Sequence, residues 1–144
     1  MFTTEINNDQ ASLAVDEERL REAVGNVLRA GGIATAEVSM AIVDDPTIHR
    51  LNVEFLQHDY PTDVLSFLLE RSGDRLEGEI IASADTAIRN AQQYGWSPAD
   101  ELLLYVIHGS LHLIGYDDST DELQDIMRAA ETEQLARFGL EPHY

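Results

Sequence analysis

The segment from Leu102 to Asp118 constrains the fold of this chain more than any other stretch. An apolar run, Leu102 to Ile107, leads into two histidines four residues apart, His108 and His112, and Gly115 follows. Residues four apart on a helix project from one face, with about 5–6 Å between their β carbons. Glycine is the common residue just past a helix end. The pattern therefore predicts a buried helix that carries two imidazoles on one face and ends in a turn.

This helix and turn have the layout of a three-ligand metal site. Asp118 lies six residues after His112, and the adjacent Asp117 is an alternative third ligand or a residue that orients a ligand. Three protein ligands leave one position of a zinc-like ion open for water, which distinguishes catalytic sites from closed structural ones. The spacing predicts a catalytic metal site formed by His108, His112 and Asp118.

Position 109 argues against one class of metalloenzyme. In zinc proteases of the His-Glu-x-x-His type, the residue after the first histidine is the glutamate that acts as general base. Here that residue is Gly109. The motif keeps the metal ligands and lacks the base, so peptide hydrolysis by that route is disfavoured.

Composition sets further bounds. The 144 residues match one domain, 1–144, and the absence of cysteine leaves histidine and oxygen as metal ligands. The net charge of −18, with nine arginines as the only basic residues besides histidine, argues against broad attraction to nucleic acid. A local groove could still form from Arg50, Arg71, Arg75 and Arg89. No signal peptide or membrane span is predicted, which is compatible with a cytoplasmic protein.

Periodicity and turn residues predict an α+β domain. Helices are expected over Asp16–Ala30, from Asp45–Pro46 to near His58, over Ala84–Tyr94, from Ser97–Pro98 through both histidines, and from Ser119 to Gly139; strands are expected over Glu37–Asp44, Val64–Leu69 and Leu76–Ser83. The last two strands could pair across the turn at Arg71–Arg75. This order implies a small mixed sheet of about three to four strands, flanked by about five helices.

Two motifs, in this order, resemble the YbeY family of bacterial ribosomal-RNA maturation endoribonucleases. They are Asp59-Tyr-Pro-Thr-Asp-Val-Leu-Ser-Phe67 and His108-Gly-Ser-Leu-His112-Leu-Ile-Gly-Tyr-Asp117. The resemblance runs from the Asn52 helix through Gly78-Glu79-Ile80 to the last helix. It implies a cytoplasmic, zinc-dependent hydrolase with one ion per chain that cleaves single-stranded RNA. Small-subunit ribosomal RNA and ribosomal particles are the implied partners, and neither DNA nor a membrane is expected.

The chain departs from the family pattern at two positions. Asp118 stands where the family usually has a third histidine, and its anionic oxygen should make metal-bound water less acidic. Leu56 stands where the family commonly has an arginine, thought to contact RNA or to help catalysis. Arg50 is a weak substitute, because it lies one and a half turns away on the helix.

Several other residues are candidates for the reaction. Asp117 and Glu79 are candidate general bases, Glu79 only if the fold places it beside the ion, and either acid could be a solvated or ligand-orienting side chain. Asp63 and Ser66 could line a substrate groove or could cap the turn and strand. Glu131, with other acids of the last helix, is expected to face solvent, and His49, His58 and His143 are expected to be ordinary surface histidines.

Three function classes remain open at this point. The first is the ribonuclease that the paired motifs favour. The second is a protease-like hydrolase, against which Gly109 argues. In the third, the protein is a non-catalytic ribosome-assembly factor with a structural metal, a reading that Leu56 and Asp118 support.

Overall fold

Five helices and four strands are built from residues 1–57 and 62–144, which the structure, a computed structural model, describes. In chain order they are β1 (Phe2–Asn8), α1 (Glu17–Ala30), β2 (Thr35–Val43), α2 (Asp45–Leu56), β3 (Val64–Ser72), β4 (Arg75–Ser83), α3 (Ala84–Tyr94), α4 (Pro98–Leu113) and α5 (Asp121–Ala136). The predicted α+β class, with a small mixed sheet and about five helices, is confirmed.

The four strands form one sheet in the order β1-β2-β4-β3. Strands β1, β2 and β4 run parallel, and β3 runs antiparallel to β4 across the turn at Gly73. Gly73 has a φ of +60°, a conformation that glycine adopts without the steric cost paid by other residues. The predicted pairing of β3 with β4 is therefore confirmed.

The two faces of the sheet bury different helices. Alternate residues of β2 and β4, among them Met40 and Ile80, pack with α1, α3 and α4 in the main core. The opposite face carries a smaller cluster in which Ile48 of α2 packs with Val43 and Leu65. Since side chains alternate across a strand, successive residues of β4 face opposite sides of the sheet.

Helix α4 is the central helix of the core. Eleven of its residues are buried, including Leu102, Leu103 and Ile107. Glycines allow it to lie close on the sheet: a Cβ on Gly78 would stand 2.8 Å from Leu113, and a Cβ on Gly109 would stand 2.9 Å from Ser66 Oγ. This close contact fixes the position of the histidine-bearing end of α4 against β3 and β4.

Some expected boundaries need correction. Strand β1 was not expected, because its stretch is polar and only Phe2 and Ile6 pack against the core at the edge of the sheet. The caps of α2 and α5 are Asp44 and Thr120, each one residue from the position expected. The expected helix end near His58 and residues 59–61 of the first motif lie outside the described residues. Among the residues described, no helix has the length and apolar character needed to cross a membrane.

Candidate metal centre

Helix α4 presents His108 and His112 on one face, one turn apart. The Ser97 side chain caps the helix by accepting a hydrogen bond from the Asp100 backbone N–H. Although most of the helix is buried, the two histidine side chains keep 25% and 29% of their surface exposed. Their Nε2 atoms lie 3.1 Å apart. Both ring nitrogens thus point to one place at the edge of the core.

The other nitrogen of each ring is held by an acceptor. His112 Nδ1 lies 2.9 Å from the Tyr116 carbonyl oxygen, and His108 Nδ1 lies 2.9 Å from Glu131 Oε1. Carbonyl and carboxylate oxygens only accept, so in the neutral rings both Nδ1 atoms carry the proton. Both Nε2 atoms then hold lone pairs that face each other. A cation shared between them removes this repulsion.

The turn after α4 separates the roles of Asp117 and Asp118. Gly115, at φ +107°, reverses the chain. The Asp117 carboxylate accepts hydrogen bonds from the backbone N–H groups of Asp118 and Ser119 and from the Ser119 hydroxyl. The Ser119 hydroxyl bond is the largest cause of a lowered pKa at Asp117. Asp118 Oδ2 lies 3.4 Å from His108 Nε2 and 3.6 Å from His112 Nε2. Asp118, rather than Asp117, completes the group around the two histidines.

The spacing of these three donors fits a small divalent ion. The donor atoms of His108, His112 and Asp118 all lie within 4.8 Å of one another, and the group could hold a metal ion. Ligand atoms about 2.1 Å from a tetrahedral zinc ion are ~3.4 Å apart, close to the separations of 3.1, 3.4 and 3.6 Å. Two imidazoles and one carboxylate are also ligands that zinc accepts in catalytic sites.

Glu131 on α5 is a member of this site that the sequence did not reveal. It was expected to face solvent, but only 5% of it is exposed, because it lies on the buried stripe of α5 with Met127 and Leu135. The four-residue spacing of Glu131 from Met127 and Leu135 was the one signal in the sequence that Glu131 is buried. Burial lowers the pKa of His108, but the hydrogen bond and charge of Glu131, with the charges of Asp63 and Asp118, outweigh it and raise that pKa.

Two cavities adjoin this site, and His108 lines both of them. The first, of about 250 Å³, is lined by His108 and Asp118 together with Asp63, Tyr105 and Arg128. Asp63 therefore lies beside the metal ligands, while its carboxylate also accepts a hydrogen bond from the Val64 N–H at the start of β3. Asp63 is thus placed both to line a substrate groove and to cap the start of β3.

The second cavity, of about 330 Å³, is lined largely by residues of β3 and α4. Both histidines, Leu56, Leu68 and Ser66 lie along it. The Ser66 hydroxyl donates to the Gly109 carbonyl oxygen at 3.0 Å, so it joins β3 to α4. Leu56, the position where an arginine was expected from the resemblance, thus lines the same cavity as the two candidate histidine ligands.

Two candidate residues are not brought to the ligands. Arg50 lines a separate surface depression on α2 and is absent from both cavities as the described residues define them. Glu79 lies between Gly78 and Ile80 on β4, and those two residues face Leu113 and Gly109 of α4. By strand alternation Glu79 points to the opposite face of the sheet. Glu79 therefore does not lie beside the candidate ligands, which a general base would need to do.

The partners of these arginines give no support for the local cationic groove that Arg50, Arg71, Arg75 and Arg89 could have formed. Arg89 pairs with Asp45, and Arg75 pairs with Glu77. Arg71 donates to the Ile114 carbonyl oxygen at 3.4 Å. Each of these guanidinium groups is engaged at a different place on the described surface.

The chain is similar to known proteins in sequence and in fold. A family model described as Endoribonuclease YbeY matches residues 5–139. An endoribonuclease YbeY of Rhodopirellula baltica is 49% identical over 112 residues, 76% of this chain and 58% of that relative's length. That of Moorella thermoacetica is 43% identical over 151 residues, covering 94% of this chain and 96% of the relative. A solution structure from Thermotoga maritima is similar with a TM-score of 0.63 at 27% identity, covering 95% of this chain and 92% of that one.

Proposed function

We propose that this chain, which belongs to the YbeY endoribonuclease family, is a zinc-dependent endoribonuclease that cleaves single-stranded RNA. The observation that carries the proposal is the convergence of His108, His112 and Asp118 beside two cavities, both of which His108 lines. We place its action in the cytoplasm, on small-subunit ribosomal RNA and ribosomal particles, in 16S rRNA maturation and ribosome quality control.

His108, His112 and Asp118 would hold the ion. When bound, zinc would supply a Lewis acid for a phosphoryl oxygen and an acidified water. The anionic Asp118 lowers the charge of the site relative to three histidines, so this site should acidify water less. Asp117 has its carboxylate oxygens in the turn and a lowered pKa. We therefore assign Asp117 a positioning role for Asp118 rather than proton transfer.

The two cavities suit the nucleotides on either side of a scissile phosphate. An extended strand that passes over the histidine pair would place one nucleoside toward Asp63 and Arg128 and the next toward Leu56 and Leu68. A duplex would need both strands to pass the same edge of α4, so single-stranded RNA is the better fit.

The acidic surface predicts weak phosphate binding. Because the net charge is −18 and several arginines are paired with acids, few phosphates can be neutralised. Binding to single-stranded RNA should then lose affinity only slightly as salt rises, since each neutralised phosphate adds about 0.7 to the slope of log affinity against log salt. A slope of about 4 or more would contradict this view of the interface.

The test is cleavage of an end-labelled single-stranded RNA and of the same sequence as a duplex. We expect the zinc-loaded protein to cut the single strand, a chelator to stop cleavage, and His112→Ala to abolish it. His49→Ala, on α2, is the matched control and should remain active. Equal cleavage by His112→Ala would trace the activity to something other than this site.

A ribosome-assembly factor with a structural metal is the second candidate. It is favoured by Leu56 at a cavity wall where the family commonly has arginine, and by Asp118 in place of histidine. Retained association of His108→Ala with ribosomal particles, together with no RNA cleavage by the folded zinc-loaded wild type, would favour this candidate. Cleavage by the wild type and its loss in folded His108→Ala would favour the enzyme.

A further inference from the structure

The first cavity is closed on one side by the segment that contains His143 and Tyr144. His143, expected at the surface, has only 12% of its side chain exposed, because its Nε2 lies 2.8 Å from the buried Glu101 carboxylate. Its ring stacks on Tyr94 with centroids 3.9 Å apart and planes 2° from parallel. These contacts fix the backbone immediately before Tyr144.

Tyr144 reaches from this anchored segment to the partner of a metal ligand. Its hydroxyl donates to Glu131 Oε2 at 2.7 Å, and the Arg128 guanidinium lies over its ring at 5.1 Å from the centroid. The other carboxylate oxygen of Glu131, Oε1, lies 2.9 Å from His108 Nδ1. Each oxygen of Glu131 therefore has one partner, so the carboxylate can neither rotate nor shift without breaking a bond.

We propose that Tyr144 and Glu131, here called the tyrosine clamp, are positioning residues for the metal centre. Glu131 keeps the proton of His108 on Nδ1 and holds the ring so that Nε2 faces the ion. Tyr144 in turn holds Glu131. A carboxylate that accepts from a ligand histidine fixes its tautomer and raises its basicity, and loss of such a partner typically weakens metal binding about 10–100-fold.

The clamp also explains why a buried acid is retained on α5. Glu131 is 5% exposed, and among the described residues its ion-pair partner is His108. An unpaired buried carboxylate is costly. Two hydrogen bonds, one from a neutral hydroxyl and one from an imidazole, offset that cost, and both come from groups that face the metal site.

This inference rests on the proposed metal centre, and its test separates the two. Zinc affinity would be measured by competition with a chromophoric chelator for the wild type, Glu131→Gln, Tyr144→Phe and the control Tyr94→Phe. The Tyr94 hydroxyl bonds none of the described residues, so its removal should change affinity less than twofold. We expect about 10–100-fold weaker binding in Glu131→Gln and about two- to tenfold weaker binding in Tyr144→Phe, the effect of one hydrogen bond.

A second readout needs no metal. Nitrogen-detected NMR of the metal-free protein at pH 9 reports which nitrogen of His108 carries the proton. The clamp predicts an Nδ1–H tautomer in the wild type and a mixture of tautomers in Glu131→Gln. An Nε2–H tautomer in the wild type would overturn the clamp, as would unchanged zinc affinity and tautomer in both clamp variants. If the wild type binds no zinc, the proposed metal centre is wrong, and the His108 tautomer still tests the tyrosine clamp.

A purely structural role would give a different pattern. In that case Tyr144→Phe would lower the melting temperature of the metal-free protein while zinc affinity and the His108 tautomer stayed at wild-type values. Circular dichroism of each variant verifies that it is folded before affinity is measured. Unchanged affinity in a folded, less stable Tyr144→Phe would therefore reject the positioning role.

Discussion

Replacing Gly109 by alanine tests whether close packing of α4 on the sheet fixes the metal centre. A Cβ at this position would stand 2.9 Å from Ser66 Oγ and 3.2 Å from methyl carbons of both Ile80 and Val64. Those neighbours belong to β3 and β4, which are paired with each other, so neither strand can move alone. Any relief must come from a shift of α4 itself, and α4 carries the histidines.

The expected cost can be worked out from two opposing terms. Alanine is favoured over glycine inside a helix by about 1 kcal/mol. Overpacking a tight interface costs about 2–3 kcal/mol when the neighbours cannot move. The net destabilisation is then about 1–2 kcal/mol. For 144 residues, an unfolding entropy of about 2.1 cal/mol/K per residue converts this into a melting temperature lower by about 3–6 °C.

The matched control is Gly25→Ala on α1. There a new Cβ would meet only the Arg29 guanidinium, the end of a flexible side chain, at 3.3 Å. The higher helix propensity of alanine should outweigh this contact, so Gly25→Ala should raise the melting temperature by up to about 3 °C. Calorimetry of the metal-free protein compares the two variants. If Gly109→Ala were stabilising to the same extent, the packing argument would be refuted.

Two further predictions concern the other face of the sheet and the second cavity. Burial raises the pKa of Asp45, but hydrogen bonds from Ser83, Thr86 and Arg89 outweigh it and lower that pKa. The depressed pKa means a stabilising contribution that is present above about pH 4 and is lost as pH falls through the folded-state value. Asp45→Asn should thus cost about 1 kcal/mol at pH 7 and less at pH 2. Urea unfolding at both pH values measures this cost, and an equal cost at both would contradict the prediction. Leu56→Arg should raise affinity for single-stranded RNA about two- to tenfold at low salt and steepen the salt slope by about 0.7. Fluorescence anisotropy measures the RNA affinity of this variant and of the control Val53→Arg, which lies on the same helix outside the cavity. An equal gain in affinity in both variants would argue against RNA binding in the second cavity.

Local signals predicted the elements that hold the site. Helix α3 spans Ala84–Tyr94, as predicted, and ends before Gly95. Strands β3 and β4 are consecutive in the chain and are joined by a short turn at Gly73, so their pairing was also accessible. The histidine spacing on α4 needed only helical periodicity. Each of these signals lies within a few residues of the feature that it predicts.

Features that depend on contacts between distant segments were not accessible. Glu131 is 23 residues from His108, and on α5 it is one acid among many. The choice between Asp117 and Asp118 depended on the geometry of one turn. Strand β1 is polar and is held by pairing with β2 rather than by its own apolar pattern. The face on which Glu79 lies followed from the register of the sheet.

The identity of the third ligand and the presence of an ion are tested most directly by metal analysis of adjacent variants. Zinc content and RNA cleavage would be measured on the same samples of wild type, His112→Ala, Asp117→Asn and Asp118→Asn. Asn at 117 keeps an acceptor for the turn, so that variant should retain about one zinc per chain and its activity. His112→Ala and Asp118→Asn should lose most of the zinc and the cleavage. A wild type without metal, or full metal content in both ligand variants, would contradict the account.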